Sequence, residues 1–346
     1  MKLSEYGWQE RLEPFAEGRP QSLRGRVVLH EKGKYRVVCE KGELSAEVSG
    51  AFRYHAQTPA DLPTVGDFVL LDEEGGLGVI RELLPRSSVF MRRASGGAHQ
   101  EQLVAANVDT VFLCMALNND FNLRRIERYL SLAWESGAQP VVVLTKADLC
   151  DSPDEKRSQV EAVAIGADIV VCSAMEKDGY ESLAPYLLPG KTIAFLGSSG
   201  VGKSTLINRL LAEDRQKTNG LRSDDKGRHT TTHRELLMLP CGCMAIDTPG
   251  MREFGIWDAS EGLDKTFSDV AALTKKCRFA DCSHASEPGC AIREAIENGR
   301  LSPERYLSYQ RLQSENAYEM DAAGYLAAKE QKFKNIAKIN KANKKG

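Results

Sequence analysis

The stretch 193-IAFLGSSGVGKSTLINRL-210 decides how the rest of the chain is read. An apolar run, Ile193 to Leu196, meets a glycine-rich turn and then a helical pattern. Gly197-Ser198-Ser199-Gly200-Val201-Gly202-Lys203-Ser204 fits G-x-x-x-x-G-K-[ST], with Thr205 following. Its glycines let backbone N–H groups wrap an anion, and the positive end of the next helix points at the same anion. Lys203 is placed to neutralise β- and γ-phosphates, and the Ser204 hydroxyl to ligate Mg²⁺. The bland alternative is an ordinary glycine-rich strand-to-helix turn. The position of the loop is the puzzle, because more than half of the chain precedes it.

A phosphate loop does not choose between adenine and guanine. Guanine needs a carboxylate to accept from its N1–H and exocyclic amine, and a site built that way rejects a base lacking those donors. Such a carboxylate comes from [N/T]-K-x-D at the end of a strand. Downstream of Lys203 the nearest candidate, Thr274-Lys275-Lys276-Cys277, lacks the acid. Upstream, Thr145-Lys146-Ala147-Asp148 ends the apolar run PVVVL. Asp148 would read guanine, and the Lys146 stem would cover the base plane. One strand later Cys172-Ser173-Ala174 ends IVV, and the Ser173-Ala174 backbone would meet guanine O6. Thr145 stands where Asn is more usual, which is expected to cost a hydrogen bond to the phosphate loop.

The remaining parts follow the loop. Gly227-Arg228-His229-Thr230-Thr231-Thr232 is polar and offers Thr231 or Thr232 as the switch ligand to Mg²⁺. Asp247-Thr248-Pro249-Gly250 ends a strand, as D-x-x-G should. Asp247 would hold Mg²⁺ through water, and the Gly250 N–H would sense the γ-phosphate. The order is therefore TKAD, SA, phosphate loop, Thr, DTPG, a GTPase rotated in sequence. Circular permutation is inexpensive where the original termini lie close together. A P-loop kinase or ATPase, and an RNA-binding module with a vestigial pocket, are the competing readings.

Residues 24–90 alternate apolar and polar positions in short runs broken by glycine, which suggests a small barrel. An OB-type barrel, an SH3-like barrel and a meander all fit that pattern. Residues 91–101, MRRASGGAHQE, have the composition of a linker. From about 104 onward, near-continuous apolar runs alternate with an amphipathic helix, as in a parallel sheet covered on both faces. Residues 233–247 read as a hairpin that adds an antiparallel pair at the sheet's edge. The expected division is residues 1–92 for the barrel with an N-terminal extension, 98–257 for the permuted GTPase domain and 258–346 for a helical zinc-binding domain with a basic tail.

The net charge of −2 argues against a wholly basic nucleic-acid binder but leaves room for local patches. Arg24, Arg26, Lys32, Lys34 and Arg36 on the barrel, and the lysine-rich tail 329–346, are candidate phosphate contacts. The first fifteen residues are charged and carry no apolar core, and no run is long enough to span a bilayer, so a cytoplasmic protein is expected. Nine cysteines in such a chain point to metal binding or buried thiols rather than disulfides. Cys277-x4-Cys282-x-His284-x5-Cys290 is a Cys3His set suited to a closed tetrahedral Zn²⁺ site, hence structural, with redox chemistry or an iron–sulfur cluster as the alternative.

Together the small barrel, the permuted motif order, GRHTTT, DTPGMRE and C-x4-C-x-H-x5-C resemble the RsgA/YjeQ family over essentially the whole chain. The resemblance implies an OB-fold, a permuted GTPase domain and a zinc-binding domain. It implies a protein that hydrolyses GTP slowly, is stimulated by the 30S subunit and assists its late maturation, with the outer domains touching 16S rRNA; a monomer without membrane attachment is expected. Met251 follows DTPG where many GTPases carry a water-positioning Gln. The family places a histidine before the threonines, here His229. It either orients the attacking water or only contacts RNA or solvent.

Overall fold

The computed structural model of the chain describes residues 2–31, 33–93, 101–176, 179–211, 234–247 and 260–320. The expectations placed on Lys32, His229, Thr231, Thr232, Gly250, Met251 and the tail 329–346 lie outside these residues. The chain divides into two compact units, Met1–Gly255 and Ile256–Gly346. No helix among the described residues is long and apolar enough to cross a membrane.

The first unit begins with short helical turns, including α1 (Glu13–Glu17), and then five strands: β1 (Leu23–Glu31), β2 (Lys34–Cys39), β3 (Gly42–Val48), β4 (Phe68–Glu74) and β5 (Leu77–Leu83). A short helix, α2 (Gly50–His55), follows β3. The strands pair in the order β1-β2-β3-β5-β4, and β4 returns to β1, with Leu23 opposite Leu71 and Arg26 opposite Phe68. Closure by a parallel β3–β5 pair and four antiparallel ones makes this the five-stranded OB-type barrel. Val27, Val37, Ala46, Val69, Leu71 and Ile80 fill its interior.

Residues expected to form a linker are partly strand. β6 (Val89–Arg93) and β7 (Glu101–Ala106) form an antiparallel ribbon, with Val89 opposite Ala106. The strand-forming Val89-Phe90-Met91 finds a partner in Leu103-Val104-Ala105, and that pairing overrides the composition of the segment between them.

The second sheet contains β8 (Thr110–Ala116), β9 (Gln139–Thr145), β10 (Asp168–Val171), β11 (Thr192–Leu196), β12 (Arg234–Met238) and β13 (Met244–Asp247). The order is β10-β9-β8-β11-β13-β12, parallel except for β12. Three helices cross between strands: α3 (Leu123–Ser136), α4 (Pro153–Glu161) and α5 (Lys203–Leu211). Alternate residues of each strand enter different cores. Val111, Leu113, Met115, Val142 and Leu144 pack against α3, while Phe112, Cys114, Val141, Val143 and Phe195 pack on the face of α5. Burying Phe112 completely is worth about 2–3 kcal/mol.

The expected hairpin forms, but it is not a free edge. β13 runs parallel to β11 inside the sheet, and β12 pairs with β1 of the barrel, with Leu29 opposite Glu235 and His30 opposite Arg234. The barrel and the parallel sheet therefore share one eleven-stranded sheet. Arg26, expected to meet RNA, is 1% exposed at this junction. Its guanidinium donates to the carbonyls of Tyr6 (2.7 Å), Asn107 (3.2 Å) and Gly66 (3.2 Å) and to Thr192 Oγ1 (2.9 Å). The Phe68 ring covers it at 4.7 Å. Burial pushes the guanidinium down to about 10, still protonated at neutral pH. Arg24 pairs instead with Glu13 at 2.9 Å, and Arg36 with Glu43 at 3.2 Å.

The second unit is helical: α6 (Ser260–Thr266), α7 (Ser268–Thr274), α8 (Ala291–Glu297) and α9 (Pro303–Met320). Leu263, Phe267, Val270, Ile292, Ala295 and Leu312 are buried in it. Arg305 of α9 grips Asp269 of α7 through two bonds of 2.7 and 2.9 Å, donates to Thr266 O at 2.8 Å and lies over the Phe267 ring.

Candidate functional site

The glycine-rich segment lies between β11 and α5, so its turn opens at the carboxyl end of a parallel strand, where α/β sheets bind ligands. Gly197 has φ +156, and a Cβ there would meet the Cys114 carbonyl at 2.6 Å, so only glycine lets the loop rest on β8. Lys203 folds back over the loop, its Nζ donating to Gly197 O at 2.5 Å and Ser198 O at 2.7 Å. Ser204 and Thr205 occupy the first turn of α5, and Val201 is buried beneath the loop. Cys114 lies under it too, and burial pushes that thiol up to about 12, so it is neutral and unreactive. Cys172 and Cys243 are held at about 12 by the same cause, in keeping with buried thiols.

Thr145 ends β9 and is buried. Its hydroxyl donates to Val201 O at 2.6 Å. The expected loss of a bond to the phosphate loop therefore does not occur, because a hydroxyl at this short reach does the work of a longer amide. Lys146 adopts φ +59, a left-handed turn that breaks the strand and leads straight to Asp148. Such a backbone is uncommon outside glycine and tends to be held by its surroundings. Asp148 is exposed, and its Oδ1 accepts from the Ser173 hydroxyl at 2.5 Å. Ser173 is buried, and its N–H donates to Gly179 O at 2.8 Å. Arg209 of α5 donates to Ala174 O at 3.0 Å. The TKAD turn, the Ser-Ala turn and the phosphate loop are thus hydrogen-bonded into one assembly.

Two residues that the sequence motifs do not include also join it. Arg125 Nη1 donates to Asp120 Oδ2 at 2.7 Å and to Ser198 Oγ at 3.1 Å, and Ser198 Oγ donates to the same Asp120 oxygen at 2.8 Å. The bond from Arg125 holds the Asp120 carboxyl below the usual carboxylate range. In the sequence Asp120 stands in the turn between β8 and α3 and Arg125 in the first turn of α3, and no motif marks either. Asp247 ends β13, one residue beyond the Ala194–Ile246 pair, and so reaches the same end of the sheet as the loop. The segments holding His229, Thr231, Thr232 and Gly250 lie outside the described residues.

In the second unit the four expected ligands converge. The Sγ atoms of Cys277, Cys282 and Cys290 and a ring nitrogen of His284 all lie within 4.8 Å of one another, so they could hold one metal ion. His284 Nδ1 stands 3.5 Å from Cys277 Sγ and 3.6 Å from Cys290 Sγ. His284 has φ +58. Glu287, which the ligand spacing does not reveal, secures that turn by accepting from the Ser283 hydroxyl and from the N–H groups of Ser283, Ala285 and Ser286. The Ser283 hydroxyl chiefly holds its carboxyl at about 2.

Comparison with known proteins agrees with this geometry. The RsgA GTPase family model matches residues 83–257. A Small ribosomal subunit biogenesis GTPase RsgA 2 of Lactiplantibacillus plantarum is 49% identical over 85% of this chain and 84% of its own length. A Small ribosomal subunit biogenesis GTPase RsgA of Opitutus terrae is 48% identical over 92% of this chain and 90% of its own. Among solved structures, YjeQ from Thermotoga maritima superposes with a TM-score of 0.63 at 31% identity, covering 84% of this chain and 97% of that one. YloQ, described as a circularly permuted GTPase, gives 0.61 at 26%, covering 85% and 94%. The rotated order of TKAD turn, Ser-Ala turn and glycine-rich loop thus has its explanation: this chain is a circularly permuted GTPase and belongs to the RsgA GTPase family.

Proposed function

We propose that this chain binds the 30S ribosomal subunit, assists its late maturation and leaves it when GTP is hydrolysed to GDP and phosphate. The observation that carries the reading is the Thr145–Val201 bond together with the Asp148–Ser173 bond. These join a guanine-reading turn to a phosphate loop, in a chain 48% identical to a relative named for small-subunit biogenesis. Asp148 accepts from the guanine edge, Lys146 covers the base, and Ser173 and Ala174 present backbone N–H groups to O6. The N–H groups from Gly197 to Thr205 and the Lys203 ammonium receive the phosphates. Ser204, Asp247 and either Thr231 or Thr232 would hold Mg²⁺, which offsets the charge on the β- and γ-phosphates when bound. The Gly250 N–H reports the γ-phosphate.

Met251 cannot orient water, so His229 is assigned that part. Replacing His229 with Ala is expected to lower the subunit-stimulated kcat about a hundredfold with little change in nucleotide affinity. Full stimulated turnover in that variant would leave His229 an RNA contact only.

The Cys3His cluster suits one structural Zn²⁺. Bond lengths of about 2.3 Å to sulfur and 2.0–2.1 Å to nitrogen set S and N about 3.6 Å apart on a tetrahedral edge. The separations of 3.5 and 3.6 Å around His284 match that edge. Bound there, zinc would tie the turn before α8 to the end of α7. The barrel, the zinc-bearing unit and the basic tail are the surfaces offered to 16S rRNA, and the protein acts as a cytoplasmic monomer. Co-sedimentation with purified 30S subunits tests the reading. Retention with a non-hydrolysable GTP analogue and release with GDP, both weakening with salt, is the expected result. Equal retention with either nucleotide would contradict it.

A further inference from the structure

The Asp120–Arg125 pair is an odd companion for a phosphate loop. The Asp120 carboxylate lies 2.8 Å from the hydroxyl of Ser198, the second residue of the loop. A bare carboxylate there repels the polyphosphate that the loop is shaped to take. The backbone that carries both side chains is nonetheless fixed. Asn118 Oδ1 accepts from the Asp120 N–H at 3.0 Å, and Asn122 caps α3 by accepting from the Arg125 N–H at 3.1 Å. The turn after β8 is thereby built to aim these two side chains at the loop. Asp120 also feels the positive charge of Lys146 in the base-reading turn.

Ser198 is held from two sides. Its hydroxyl sits in the Asp120–Arg125 bridge, and its carbonyl receives the Lys203 ammonium together with Gly197 O. A displacement of Ser198 therefore moves the acceptors that aim Lys203. We infer that Arg125 is a positioning residue of the nucleotide site. It cancels the charge of Asp120 beside the phosphates and, through Ser198, keeps the loop and Lys203 in place for a nucleoside di- or triphosphate. This rests on the nucleotide reading given above and adds a requirement to it: Arg125 matters because Asp120 is present.

That conditional role makes a double-mutant cycle the test. The full chain and its Arg125→Ala, Arg125→Lys, Asp120→Asn and Arg125→Ala/Asp120→Asn variants are titrated with fluorescently labelled GDP and a labelled non-hydrolysable GTP analogue, at low and high salt. Arg125→Ala is expected to weaken both nucleotides about tenfold, with the larger loss at low salt. Asp120→Asn alone binds at least as tightly as the unaltered chain. The double variant recovers most of the affinity lost, and Arg125→Lys, which keeps the charge, retains most of it. A double variant as weak as Arg125→Ala, or a loss independent of salt, would overturn the inference. Should Arg125→Ala fail to fold, Arg125→Lys and Asp120→Asn still decide it, because weaker binding by Asp120→Asn contradicts charge cancellation. Failure of the unaltered chain to bind either nucleotide would instead sink the nucleotide reading, and the inference with it.

Discussion

Asp148→Asn should turn the protein from guanosine toward xanthosine nucleotides. The Asp148 carboxylate offers two acceptors, matching the N1–H and exocyclic amine of guanine. An amide offers one acceptor and one donor, which suits xanthine, where a carbonyl replaces the amine. Ser173 accommodates the new amide. Its hydroxyl donates to Oδ1 at 2.5 Å and can accept as well, so the amide is free to turn its nitrogen to the 2-position of the base. A site left with an unmatched donor rejects the wrong base strongly, so GTP affinity is expected to fall about a thousandfold while XTP affinity rises to replace it. Displacement of labelled GDP by GTP and XTP measures both. Unchanged GTP binding would mean that Asp148 does not read the base.

The second large effect is on stability. Arg26→Ala removes the donors that serve three backbone carbonyls and Thr192 Oγ1 at the junction of barrel and parallel sheet. The Tyr6 and Asn107 carbonyls lose their donor, Gly66 O keeps its bond from Asn107 Nδ2 at 3.1 Å, and the site beside Phe68 is left partly empty. Each buried unsatisfied acceptor costs about 1–3 kcal/mol, tempered by relaxation, so a loss of about 3–4 kcal/mol is expected. A chemical denaturation midpoint reports it. Arg26→Lys is expected to recover little, because one ammonium cannot reach acceptors arranged around a planar fork. A variant as stable as the unaltered chain would show that β1–β12 pairing and the shared packing of Val28 and Val65 against Met244 and Ile246 suffice to join the two sheets.

Arg26 also shows where reading the sequence stops. In LRGRVVLH it is one of several cations on a strand, and nothing local marks it as buried. Its partners come from Tyr6, Gly66, Asn107 and Thr192, segments far apart in sequence. The phosphate loop, the TKAD and Ser-Ala turns and the Cys3His cluster were legible for the opposite reason. Each is a short run whose spacing is itself the chemistry. The barrel was legible as strands, but the OB-type order needed the β3–β5 and β1–β4 pairings, which no single strand encodes. Thr145 looked like a deficit because a motif describes residue types and not reach. The 2.6 Å bond to Val201 depends on how close β9 brings the hydroxyl to the loop. Asp120 and Arg125 were missed because their partner, Ser198, lies more than seventy residues away. Glu287 stands three residues from His284, but its work is to receive a turn's N–H groups, which ligand spacing does not encode.

The most direct test of the account is the steady-state rate of GTP hydrolysis by the full chain, measured alone and with purified 30S subunits, with ATP as the competing nucleotide. The account predicts slow turnover alone, a rise of at least about tenfold with 30S subunits, and no inhibition by excess ATP. A rate that 30S subunits leave unchanged, or one that ATP suppresses, would contradict it.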